Sequence, residues 1–66
     1  MPEKWTGEIV GGLHVIELCA KDLAEYMGIH PKYVSRVLNG HRKPKNAESR
    51  FKKALQELTE QYEKTA

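Results

Sequence analysis

AKDLAEYMGIHPKYVSRVLNG, running from Ala20 to Gly40, is the stretch on which the fold turns. Leu23, Ala24 and Met27 share one helical face, which predicts a helix over 20–27, and Gly28 is suited to end it in the left-handed conformation. Pro31 then suits the first position of a new helix, because its ring sets a helical φ and its missing N–H has no intrahelical partner there. His30 falls at the cap. The helix is expected to run to about Asn39, with Gly40 as its stop. Two short helices joined through Gly28-Ile29-His30 match the helix-turn-helix arrangement, in which a three- or four-residue turn containing glycine sets the helices at a steep angle.

The angular positions in the second of these helices separate core from surface. At about 100° per residue, Val34, Val37 and Leu38 group on one side, while Lys32, Arg36 and Asn39 fall at about 160°, 200° and 140°, directly opposite. A buried stripe is what any small helical domain needs. Two cations one turn apart, with an amide beside them and the cationic loop His41 to Lys45 after them, ask for another explanation. Arg donates bidentately to guanine O6 and N7, and Lys donates to the same atoms, so Lys32 and Arg36 are candidate base readers. Asn39, His41, Arg42, Lys43 and Lys45 lie where the chain would leave a groove, where phosphate contact is the natural use. Tyr33 and Ser35 flank the ridge, and Tyr33 is open to two uses, nucleic-acid contact or packing over the turn.

Charge along the chain supports the same region. From His30 to Lys53 there are eight basic residues against the single acid Glu48, a charge of +7, while the remaining three lysines face eight acids, giving −5 and the overall +2. A basic lobe on an otherwise acidic protein is a candidate footprint for a polyanion, although charge alone fits a solvated face equally well.

Outward from this core the chain reads as all-helical. A first helix over about Thr6 to Val15, capped by Thr6, brings Trp5, Ile9, Val10 and Leu13 to near-helical spacing. Gly11 and Gly12 within it indicate either close packing against a neighbouring helix or a bend. After Pro44, Asn46 is the expected N-cap of a last helix from Ala47 to about Lys64, with the final residues Glu63 to Ala66 frayed. Ala47, Phe51, Ala54, Leu55, Leu58 and Tyr62 make its apolar stripe. At about 27 Å that helix outruns a core made by three short ones, and its far end is suited to a second chain.

Other chemistries are less well supported. Cys19, His14, His30 and His41 lack the paired two- to five-residue spacings of structural zinc, so no metal and no cofactor is expected. Cys19 with His14 has no orienting third group and no pocket, and 66 residues rarely enclose a substrate cavity, so no enzyme is expected. Trp5, Tyr26, Phe51 and Tyr62 occupy helical positions where packing is the better use than base stacking. The polar face of the last helix mixes Glu57, Glu60 and Glu63 with lysines, unlike a membrane-surface helix, and no apolar run approaches a membrane span. One domain over 1–66, a cytoplasmic location and no membrane partner are expected, with no room for a separate sensor domain; at this size folding hides only about 60% of the unfolded chain's surface. The lone Cys19 forms no internal disulfide.

The residues Ala20 to Lys45, with Leu23-Ala24, Gly28, Val34, Val37 and the closing Asn39-Gly40, resemble the helix-turn-helix of phage repressor and Cro-type regulators, the XRE-like family. The resemblance implies a compact, all-α, lambda repressor-like domain of four helices, here with a long last helix where the family often has two shorter ones. It implies that exposed residues of the third helix read major-groove bases, which carries over to Lys32, Tyr33 and Arg36, with Pro31 and Ser35 at neighbouring positions. The family's phosphate clamp at the start of the second helix is commonly glutamine; this chain has Ala20, with Lys21 beside it to supply a charge. His30 likewise stands where Ser or Thr is usual. The expected function is therefore sequence-specific binding of double-stranded DNA by a small phage- or mobile-element-type repressor of prokaryotic or phage origin. It would act as a homodimer through the first or last helix, or both, on a palindromic operator. The rivals are a protein-interaction module, such as a phage-encoded inhibitor that turns the basic face to an acidic protein, and a non-specific architectural DNA binder.

Overall fold

A computed structural model describes residues 3–65, which form four helices and, among the described residues, no strand: α1 (Lys4–Val15), α2 (Ala20–Met27), α3 (Pro31–Leu38) and α4 (Ala47–Thr65). α2 packs on α3, α1 packs on both α4 and α3, and α2 also meets α4. Each helix contributes its apolar stripe to one shared core: Ile9 and Leu13 from α1, Leu23 and Ala24 from α2, Val34, Val37 and Leu38 from α3, and Phe51, Ala54 and Leu58 from α4. Phe51, fully buried, meets the ring of Trp5 edge-on at 5.8 Å between centroids and 82° between planes, an arrangement favoured by the ring quadrupoles.

Three helices end in the same way. At the end of α2, Gly28 (φ 72) sends the Ile29 N–H back to the Ala24 carbonyl at 3.0 Å and its own N–H to that of Glu25. At the end of α3, Gly40 (φ 81) lets the His41 N–H reach the Arg36 carbonyl at 2.9 Å, while its own N–H bonds that of Val37. These are Schellman motifs, which use a left-handed residue to satisfy the last carbonyls. α1 makes the same motif without glycine: Glu17 takes φ 61, and the Leu18 N–H bonds the Leu13 carbonyl at 2.9 Å. A left-handed conformation costs an L-residue with a Cβ about 1–2 kcal/mol, part of which glycine returns through its greater freedom when unfolded. Glu17→Gly is therefore expected to raise stability by up to about 1 kcal/mol, read as a higher urea midpoint with unchanged slope; a lower midpoint would mean that the exposed Glu17 side chain contributes more than its backbone strain costs.

The start of α1 differs from expectation. Glu3, not Thr6, occupies the cap position, and Thr6 is buried one turn inside, its hydroxyl and N–H both donating to the Glu3 carbonyl. Val10, grouped by its spacing with Trp5, Ile9 and Leu13, is 52% exposed, because the stripe that faces α3 and α4 runs through Ile9, Leu13 and Ile16. The two adjacent glycines also part company. A Cβ on Gly12 would meet the Leu55 Cδ2 at 2.5 Å, so Gly12 is where α1 and α4 approach closely, whereas one on Gly11 would meet open space.

α2 begins with a capping box not anticipated from the sequence: the Cys19 backbone N–H donates to the Asp22 carboxylate at 2.8 Å, and the Cys19 thiol accepts from the Asp22 N–H. Cys19 is exposed. Hydrogen bonds from the backbone N–H and then the thiol of Cys19 hold the Asp22 carboxyl below the usual carboxylate range. With its folded value depressed, Asp22 contributes its stabilisation in full above its unfolded pKa and loses it as pH falls through the folded value. Urea midpoints of Asp22→Asn and the parent are thus expected to differ at neutral pH and to converge in acid, and a gap that persists in acid would count against this role.

At the other end of α2 the Tyr26 hydroxyl donates to Glu57, tying α2 to α4, and this hydrogen bond raises the phenol above its ordinary pKa. Asn46 precedes α4 in a left-handed conformation (φ 63) rather than the extended one usual for an N-cap, and its carbonyl accepts from the Arg50 N–H and the Ser49 hydroxyl. The helix then continues to Thr65, whose hydroxyl donates to the Gln61 carbonyl, so that Glu63 to Thr65, where fraying is expected, stand in helical conformation; Ala66 lies outside the described residues.

Candidate nucleic-acid interface

α3 is only eight residues long and depends on its surroundings for its shape. Pro31 starts it, and the His30 Nδ1 accepts a hydrogen bond from the Lys32 N–H at 3.0 Å. The departure from Ser or Thr at this cap is therefore filled by a ring nitrogen acting as acceptor, not as donor. Val34, Val37 and Leu38 are buried beneath the helix. On its other side Lys32, Ser35, Arg36 and Asn39 are exposed, as are Pro31 before them and His41, Arg42, Lys43 and Lys45 after them. The expected division of α3 into a core side and a polar ridge is thus present in three dimensions.

Within the ridge the side chains are differently constrained. The Asn39 amide donates to the Ser35 hydroxyl at 3.2 Å, so these two form one polar unit beside the cations. Among the described residues Lys32 and Arg36 make no ion pair; of the eight basic residues of 30–53, only Lys52 does, with Glu48 at 2.7 Å and Glu8 at 3.9 Å. The Glu48 hydrogen bond raises the Lys52 ammonium above its ordinary pKa. Lys52 is thereby drawn to the α1 side of α4. Arg50 and Lys53 project from the flank of α4 that also carries Glu57, the partner of Tyr26 on α2, and both are exposed. Both belong to the basic lobe of 30–53, but helical spacing along α4 alone does not place them beside α2.

Tyr33 is half-buried and packed against the core, and the Arg42 guanidinium lies over its ring at 5.9 Å from the centroid. At the start of α2, Ala20 is half-buried against the core, and the adjacent Lys21 is exposed.

Charge segregates along α4 as well. Its first two turns carry Arg50, Lys52 and Lys53, and its far half carries Glu57, Glu60 and Glu63, on average about 12 Å further along the axis. The helix dipole accounts for Glu48 in the first turn and Lys64 in the last, but not for this reversed arrangement between them. The cations gather instead at the end of α4 that adjoins the loop after α3.

Residues 20–48 match the family model described as Helix-turn-helix, covering α2, the turn, α3, the basic loop and the first residues of α4. The chain carries an XRE-type helix-turn-helix, a DNA-binding motif, on an all-α fold, and the resemblance seen in Ala20 to Lys45 holds across that segment. No curated protein and no solved structure matches the chain. Among the described residues no helix is long and apolar enough to cross a membrane, and no three His, Cys, Asp or Glu side chains converge to hold a metal.

Proposed function

We propose that this chain is a sequence-specific double-stranded DNA-binding protein, a small transcriptional repressor of phage or mobile-element type acting in the cytoplasm. The observation that carries the proposal is the exposed ridge of Lys32 and Arg36, free of ion pairs among the described residues, on the second helix of the helix-turn-helix, back to back with the Val34, Val37 and Leu38 core. α3 enters the major groove with that ridge against base edges, α2 crosses above it, and Arg42, Lys43 and Lys45 grip the phosphates on leaving the groove. Lys21 supplies the backbone charge at the start of α2 that the half-buried Ala20 does not. One module of this size buries a modest interface, so a homodimer on two half-sites about 34 Å apart gives useful affinity. The outer face of α1, with Val10 and Val15 at 52% and 75% exposure, and the far end of α4 at Tyr62 are the surfaces available for that dimer.

Selection of bound duplexes from a random pool tests this reading. An enriched, palindromic motif is the expected result. Salt-sensitive binding to every duplex alike would replace it with an architectural role, and no appreciable DNA binding would favour the second reading, a module whose basic face binds an acidic protein. The loss of a side chain able to reach phosphate at Ala20 is the observation that favours that alternative.

A further inference from the structure

We propose that Tyr33 is a positioning residue, which holds Arg42 ready for a backbone phosphate, and not a reader of bases; this rests on the DNA-binding reading above. Arg42 is held at both ends. Its backbone N–H joins that of His41 on the Arg36 carbonyl, at 3.3 and 2.9 Å, so the loop is fastened to the last turn of α3 by the same motif that places Gly40 at φ 81. Its guanidinium, one long and otherwise mobile side chain away, rests over the Tyr33 ring at 5.9 Å. Tyr33 is itself fixed, half-buried and packed against the core.

The chemistry follows from the geometry of the two groups. A guanidinium drawn over a ring by its charge keeps N–H donors on its edge free, and those edges match two oxygens of a phosphate. A base seeking that ring face would have to displace Arg42 from it. Tyr33, Arg42, Lys43 and Pro44 together line a shallow recess at the surface, with two cations on its rim. Among the described residues Lys43 and Lys45 have no comparable side-chain anchor. Ordering a long cationic side chain normally opposes binding; for Arg42 that ordering is already made when the domain folds.

The test compares the full chain with Tyr33→Phe, Tyr33→Leu, Arg42→Ala and the Tyr33→Leu/Arg42→Ala double variant. Each is bound to its selected duplex and to an unrelated duplex between 50 and 200 mM salt, after circular dichroism has shown equal helix content. Tyr33→Leu keeps an apolar body on the core but removes the ring face. The expected results are parent-like binding for Tyr33→Phe and a loss of about 2- to 5-fold on both duplexes for Tyr33→Leu, the range of an exposed cation–π contact. Arg42→Ala lowers the salt slope by about 0.9, and Tyr33→Leu adds nothing to it in the double variant. A change of base preference at one position of the motif in either Tyr33 variant would overturn the proposal and make Tyr33 a base reader. So would an undiminished effect of Tyr33→Leu in the Arg42→Ala background. A parent that binds no duplex would overturn the groove reading and this proposal with it, whereas a parent that binds, with Tyr33 uncoupled from Arg42, would overturn this proposal alone.

Discussion

Phe51→Ala is expected to cost about 3–5 kcal/mol of folding stability and to leave much of the chain unfolded near 37 °C. Phe51 is 2% exposed, the largest of the fully buried side chains, and stands on α4 where α1 crosses it. Removing its ring takes away more than its own transfer free energy. Trp5 loses the edge it packs on, and the helices around the cavity cannot close it completely, since Gly12 already stands against Leu55 at the same junction. Against a total stability of about 3–10 kcal/mol, which 66 residues suggest at the usual amount per residue, such a loss is decisive. Urea denaturation followed by circular dichroism measures it. DNA binding should fall in proportion to the folded fraction, although no cation has been touched. A loss under about 1.5 kcal/mol would show that α1 and α4 collapse onto the gap and that Phe51 is not the keystone of their contact.

The second large effect concerns binding with the fold intact. Arg36→Ala is expected to lose about 1–3 kcal/mol on the preferred duplex and to relax the sequence requirement at one base position, and Lys32→Ala combined with it should leave little beyond non-specific affinity. Both side chains are exposed, and among the described residues neither has an ion-pair partner, so their truncation should change stability by less than about 0.5 kcal/mol. The Arg36 carbonyl, which holds the loop through His41 and Arg42, survives the substitution. The two effects need not add, because the residues sit one helical turn apart. Lys43→Ala supplies the contrast: it should weaken every duplex similarly and reduce the salt slope by about 0.9. Binding by Arg36→Ala equal to that of the parent on its preferred duplex would remove Arg36 from the groove.

The helix-turn-helix was legible in the residues because each of its decisions is local. Gly28 and Gly40 at positive φ, Pro31 at the start of α3 and the division of α3 into Val34, Val37 and Leu38 on one side and Lys32 and Arg36 on the other follow from φ preferences and a period of 3.6 residues. Those are properties of a residue and its near neighbours, so sequence by itself determined them, and with them the ridge. The remaining features involve a partner distant in the chain or a conformation opposed to local preference, and only the tertiary structure decided them. Glu17 is left-handed because the turn between α1 and α2 demands it, with nothing in glutamate to announce it. Gly12 rather than Gly11 is the point of close approach because Leu55 lies opposite, 43 positions on. Val10 faces outward because α3 and α4 together take the Ile9 and Leu13 side of α1. Tyr33, which by angle alone fitted either a base contact or packing over the turn, lies beneath Arg42 only once the Arg36 carbonyl has drawn the loop back over the end of α3, since helical periodicity ceases to place residues beyond the last turn.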